Sequence, residues 1–199
     1  MKNSEWGAVA YLSHSKYGIN EEIYINNSSN HYTGRSGGTT DASESFYGTY
    51  TWDGKTTSGS YASDRTLGTK ASTTGNITGV YDMSGGAWER VMGYYSGAST
   101  TWGDDYAGFN SKPDSKYYDD YTTDNSLTAC DGGICYGHAL SETASWYDDA
   151  ALFVNSGSPW LMRGSNYDFG AHAGAFYSNS NVGNAYSYSF RLVLSAAWA

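Results

Sequence analysis

The stretch Gly79-Val-Tyr-Asp-Met-Ser-Gly-Gly-Ala-Trp-Glu-Arg-Val-Met-Gly93 is the most ordered-looking part of this 199-residue chain. Ser84-Gly85-Gly86 is a turn signal, because paired glycines reach backbone conformations closed to other residues. Residues 87–92 follow it as a strand-like run. Residues 19–78 and 94–135 on either side are loop-rich. Between them they offer only short β-favouring pieces at 22–26 and 46–52.

Three other segments read as regular. Residues 3–18 predict a short helix: Asn3 or Ser4 would cap it, Glu5 suits its first turn, Lys16 its last, and Gly18 its stop. Trp6, Val9, Ala10 and Ser13 would share its inward face. Residues 139–154 predict a mostly helical stretch capped near Ser141. Residues 160–163 and 189–195 predict strands; in the second, Phe190, Leu192 and Leu194 alternate with Arg191, Val193 and Ser195, a period of two.

Composition narrows the class. A chain of this length forms one domain with a real core. With 7 Trp, 20 Tyr and 6 Phe it carries rings that disordered chains lack. Trp6, Trp88 and Trp160 read as core, while Trp52, Trp102 and Trp146 sit in loopier settings. The 2 prolines leave the 25 glycines to do most of the turning. The net charge of -9 argues against nucleic acid and anionic membrane as partners, since both need a basic face. No apolar run approaches the roughly 18 residues of a membrane span. The pairs Asp104-Asp105, Asp119-Asp120 and Asp148-Asp149 read as acidic surface or as oxygen ligands for calcium. Cys130 and Cys135 flank Asp131-Gly132-Gly133, a tight loop. They can form a disulfide, stay as two thiols, or join a metal site with His138.

The segment between Arg163 and Arg191 has the composition of a binding surface: Tyr, Asn, Ser, Gly, Ala, Phe, His and Asp. Tyr supplies rigid contact area at low entropy cost, and Ser, Gly and Asn adapt their hydrogen bonding. The candidate contact positions are Asn166, Tyr167, Asp168, Phe169, His172, Tyr177, Asn179, Asn181, Asn184, Tyr186 and Tyr188. Phe176, Gly183 and Ala185 read as frame. Arg163 and Arg191 would anchor the two ends by pairing with a buried acid such as Glu89 and by binding loop carbonyls, since guanidinium has five fixed donors.

Together, residues 79–91 resemble the G-L-Y-D-M-x-G-N-V-W-E-W-V signature of the formylglycine-generating (sulfatase-modifying) branch of the C-type-lectin fold. Arg163-Gly164-Ser165 resembles its R-G-G-S-W, and Phe190-Arg191-Leu192 its closing G-F-R-L. Trp6-Gly-Ala-Val-Ala-Tyr11 sits where that family has its W-x-D-A-x-A-Y helix. The resemblance implies an α+β, C-type-lectin-like domain over residues 1–199, with few short strands and helices and much irregular loop. It also implies an upstream strand that this chain lacks, hence an N-terminal portion outside it. The family's oxidase binds copper through a cysteine pair between the two Arg motifs. Between Ser165 and Phe190 this chain has no Cys, so the resemblance implies a protein that is not an enzyme. Glu89 matches a calcium-ligating Glu of the family, but the neighbouring Asn is Gly86 here.

The variable proteins of diversity-generating retroelements share that fold. Their segment between the Arg motifs is rewritten by adenine-directed mutagenesis of Asn codons, which cannot yield Lys, Glu, Gln, Met or Trp. None of those five occurs from Asn166 to Ser189. The resemblance therefore implies a non-catalytic, receptor- or adhesin-type protein with a variable ligand-binding segment at 163–191. It implies no cofactor, with calcium the ion an oxygen-rich loop would take, and an extracellular place on a cell or virion surface. It also implies a protein or glycan ligand on another cell, with no direct membrane insertion by this segment. A fixed glycan-binding or pilus-tip module is the alternative reading, and a formylglycine-generating-type oxidase a third.

Overall fold

The computed structural model describes residues 1–23, 71–96, 113–121, 143–144, 146–166, 169, 173–180 and 188–193. They contain one helix, α1 (Asn3–Ser13), and five strands: β1 (Trp88–Tyr95), β2 (Asp119–Tyr121), β3 (Trp160–Arg163), β4 (Ser178–Ser180) and β5 (Tyr188–Phe190). The strands form one mixed sheet in the order β2-β1-β3-β4, with β5 also paired to β1. The described residues are thus α+β.

The predicted turn and strand around residues 84–92 become the centre of that sheet. One edge of β1 pairs antiparallel with β3, placing Glu89 opposite Arg163 and Arg90 opposite Met162. Its other edge is lined in succession by three separate segments. β5 runs parallel to it at Trp88–Arg90. The Met1 carbonyl then accepts from the Met92 amide at 2.9 Å. β2 finally runs parallel at Gly93–Tyr95. Parallel neighbours distant in sequence need long crossovers, which explains why β1 gathers segments from the whole chain.

Burial alternates along the first half of β1, so its two faces differ. Val91 faces α1 in the main core with Trp6, Ala10, Met83, Val154, Leu161 and Phe176. The Trp6 indole N–H donates to the Ala175 carbonyl at 2.8 Å, which docks α1 on the chain that leads into β4. Trp6, Ala10 and Ser13 are buried as predicted, and Val9 is half-buried against them. On the opposite face Tyr94, Tyr118 and Trp160 form a second cluster with Met92.

The helix begins one residue earlier and ends five earlier than its sequence suggests. Lys2, in extended conformation, is the N-cap. Its amide donates to Glu5 Oε2 at 2.7 Å. Asp119 of β2 reaches across to accept from the Ser4 amide at 2.6 Å, placing a carboxylate at the positive end of the helix. At the other end the chain folds back on itself, and the Asn20 amide donates to the Ser13 carbonyl at 2.8 Å. Gly18 lies inside that fold-back: a Cβ there would sit 2.3 Å from the Leu12 carbonyl oxygen. Gly18 is required by this close approach and is not the helix stop, and Lys16 lies past the last helical turn.

Two other expectations are corrected. Among the described residues of 139–154 there is only a short 3-10 turn, Trp146–Asp148, in place of a helix. Tyr147 and Asp148 take left-handed φ of 57° and 67°, which no α-helix continues. The chain beyond them instead lies along β4, where Ser178 donates to Ala150 and accepts from Leu152. The strand predicted at 189–195 starts at Tyr188 and stops at Phe190. Phe190, Leu192 and Val193 are all exposed, at 73 %, 83 % and 43 %, so the alternation does not extend as a strand with one buried face. The β-favouring piece at 46–52, Trp52, Trp102, Asp104-Asp105, Cys130 and Cys135 fall outside the described residues, and Glu22 and Ile23 belong to no strand. Among the described residues no helix is long and apolar enough to cross a membrane.

Candidate functional site

The ends of residues 163–191 are held on the core face of the sheet. Arg191 makes four hydrogen bonds. Its Nε donates to Glu89 Oε2 at 2.9 Å, and its Nη2 donates to Glu89 Oε1. Nη1 and Nη2 also donate to the Tyr81 and Asp82 carbonyls, each at 2.9 Å. Burial lowers the Arg191 pKa, but the Glu89 carboxylate outweighs that and leaves it above its ordinary value. This is the clamp the sequence predicts. It also answers the calcium reading of Glu89: both carboxylate oxygens are taken by a guanidinium, whose positive charge repels a cation. Among the described residues no three His, Cys, Asp or Glu side chains gather closely enough to hold a metal. An open polar cleft of about 250 Å³ lies beside the clamp, between Asp82, Gly86 and Ser189.

Arg163 behaves differently. It is 2 % exposed, and its Nε and Nη1 have no hydrogen-bond partner. Burial lowers its pKa from 12.5 to about 10, against the raising influence of Tyr121 and Asp149. It therefore does not share Glu89, although the two residues are cross-strand neighbours. The turn after it locks two sequence motifs together, because the Gly85 amide donates to the Gly164 carbonyl at 2.7 Å.

On the other face of β1, Trp88 is the hub of a ring cluster. Phe169 meets it edge-on with centroids 5.8 Å apart, and Tyr188 lies 5.4 Å away across the β1–β5 pair. Phe169 also packs edge-on against Tyr177 at 5.8 Å. The Arg90 guanidinium lies 4.7 Å over the Tyr188 ring, and burial lowers its pKa. Such ring and cation contacts add stability beyond the area they bury. Phe169 is 37 % exposed, Tyr188 and Asn179 are half-buried, and Phe190 extends the same face beyond Tyr188.

Of the contact positions read from sequence, Phe169, Asn179 and Tyr188 come together here. Two others do not reach the surface. Tyr177 is 1 % exposed and Asn166 is 6 % exposed, so both belong to the frame. The Tyr177 hydroxyl accepts from the Asn179 amide at 2.8 Å, and burial raises its pKa. The register explains the split: Ser178 pairs with Arg163, and the turn in which the Tyr177 amide bonds the Gly174 carbonyl rolls the ring under Phe169. Tyr167, Asp168, His172, Asn181, Asn184 and Tyr186 lie outside the described residues. Sequence reasoning placed Trp88 in the core and passed over Arg90. The alternation of β1 puts both on the ring-bearing face, and Trp88 is only half-buried. No family model, curated protein or solved structure matches the chain.

Proposed function

We propose that this chain is a non-catalytic ligand-binding module of C-type-lectin-like fold, of the kind that diversity-generating retroelements rewrite. Residues 163–191 are its variable segment, displayed outside a cell or on a virion, and its ligand is a protein or glycan on another cell. The observation that carries this reading is the shared patch. Phe169 and Tyr188 come from separated points of one segment and meet on Trp88, Arg90 lies over the Tyr188 ring, and Asn179 joins through its bond to the Tyr177 hydroxyl beneath Phe169. Clustered, partly exposed rings of this kind mark interaction sites, and aromatic anchors carry most interface energy. Frame and contact roles divide within the segment, with Arg163, Asn166 and Tyr177 inside and Phe169, Asn179 and Tyr188 at the surface.

The test is to sequence the coding region across isolates, together with its genomic neighbourhood. Amino-acid differences should cluster at Phe169, Asn179, Tyr188 and their neighbours within 166–188, sparing Tyr177. A near-identical template repeat should lie beside a reverse-transcriptase gene. Differences scattered evenly along the chain, with neither repeat nor reverse transcriptase, would leave a fixed glycan-binding or pilus-tip module as the better account.

A further inference from the structure

Beneath the ring patch lies a charge arrangement that ligand binding does not use. Asp149 is 2 % exposed. The left-handed turn at Tyr147 and Asp148 aims its carboxyl group inward, under residues 174–176. There Oδ2 accepts from the Phe176 amide at 2.9 Å, while Oδ1 has no partner. Gly174 packs directly on the carboxyl: a Cβ at that position would lie 2.0 Å from Oδ1. The same short segment continues into Tyr177, which packs against Phe169.

Two side-chain charges act on Asp149. Glu22, itself buried, opposes ionisation, and Arg163 from β3 favours it. Other titratable groups face the same region. Tyr147, on the same turn, feels Glu22, Asp149 and Glu21. Its hydroxyl meets His14 Nδ1 from the end of α1. Tyr121 of β2 acts on Arg163. Burial disfavours the charged form of Asp149, a second acid disfavours it further, and Oδ1 is open to a proton that would displace no existing hydrogen bond. We propose that Glu22, Asp149 and Arg163 form a buried proton-binding site, filled at Asp149 Oδ1 on acidification, which tightens the fold under the contact face.

The sign follows from linkage. Burial, then Glu22, raise the Asp149 pKa well above 3.8 in the folded chain. In the unfolded chain it stays near about 4. Between those two values the folded state holds a proton that the unfolded state has released. Its stabilising contribution is therefore present on the acid side and lost as pH rises through the folded pKa. Within that window each pH unit changes the folded-to-unfolded ratio by up to about tenfold.

Urea unfolding of the whole chain from mildly acidic to mildly alkaline pH tests this. Wild type should lose stability with rising pH, Asp149→Asn should flatten that slope, and Glu22→Gln should move it to lower pH. His14→Gln removes the imidazole that meets the Tyr147 hydroxyl and should leave the slope in place. An unchanged slope in Asp149→Asn, a slope abolished in His14→Gln, or a wild type that gains stability with rising pH overturns the assignment. If Asp149→Asn does not fold, the carboxyl carbon of Asp149 in wild type can be followed by NMR. A midpoint well above that of ordinary aspartates is expected, and an ordinary midpoint overturns it. The readout is stability, so the result does not depend on whether the patch binds a ligand.

Discussion

Arg163 and Arg191 open and close the same segment, and their sequence settings suggest the same job, yet they are held in opposite ways. Arg191 is part-exposed, and Nε, Nη1 and Nη2 each donate to an acceptor: two carboxylate oxygens of Glu89 and two carbonyls. Arg163 is sealed in the core, leaves Nε and Nη1 without partners, and is favoured as a cation only by Tyr121 and Asp149. Glu89 sits directly across the strand pair from Arg163 and still bonds Arg191. The contrast separates two ways of fixing a loop end. One is a part-buried clamp made of directional bonds. The other is a buried charge whose desolvation is offset only in part, so that its partner and its surroundings must stay intact.

The sharpest way to break that contrast is to truncate each arginine's support in turn. Arg163→Ala leaves Asp149 buried without its cation and opens a void beside β4. A loss of about 3–5 kcal/mol by urea unfolding is expected, because removing one member of a buried charged set strands the other. A loss below about 1 kcal/mol would show that Arg163 is not a structural charge. Glu89→Ala should cost less, about 2 kcal/mol, because Arg191 keeps its two carbonyl acceptors and has solvent nearby. Equal losses at the two ends would erase the distinction.

Much of this frame is legible in the sequence where local rules and tertiary packing agree. The glycine turn and strand at 84–92 and the apolar run at 160–163 form as their residues dictate. The inward face of α1 follows from the spacing of Trp6, Ala10 and Ser13. The rest fails where a distant partner decides. Residues 146–154 carry helix-compatible side chains, but burying Asp149 under Gly174 forces the left-handed pair Tyr147 and Asp148. Tyr177 and Tyr188 are equivalent in composition. One is inside and the other half-open because of their pairing with β3 and β1, which no window of sequence around either contains. The Arg191–Glu89 clamp was readable because both residues lie in motifs; Arg163–Asp149 was not, because the Asp148-Asp149 pair reads as acidic surface or calcium ligands, whereas Asp149 is buried.

The smallest expected change in stability is at Phe190, next to the tightest of the clamp bonds. In the sequence Phe190 alternates with Arg191 as part of a strand and of the closing motif, which makes it look like frame. In the folded chain the two point to opposite sides of β5. Arg191 joins Glu89 on the core face, and Phe190 is 73 % exposed beside Arg90, on the side of Tyr188. Phe190→Ser should therefore shift unfolding by no more than about 0.5 kcal/mol, as at other surface positions. If the ring-bearing face is the contact surface, the same substitution should weaken capture of a ligand selected against wild type by about tenfold or more, as removal of an aromatic anchor does. A destabilisation of about 3 kcal/mol, the scale of a deleted core phenylalanine, would put Phe190 back in the interior. It would also mean that β5 is rotated and that the clamp and the patch are not on opposite faces.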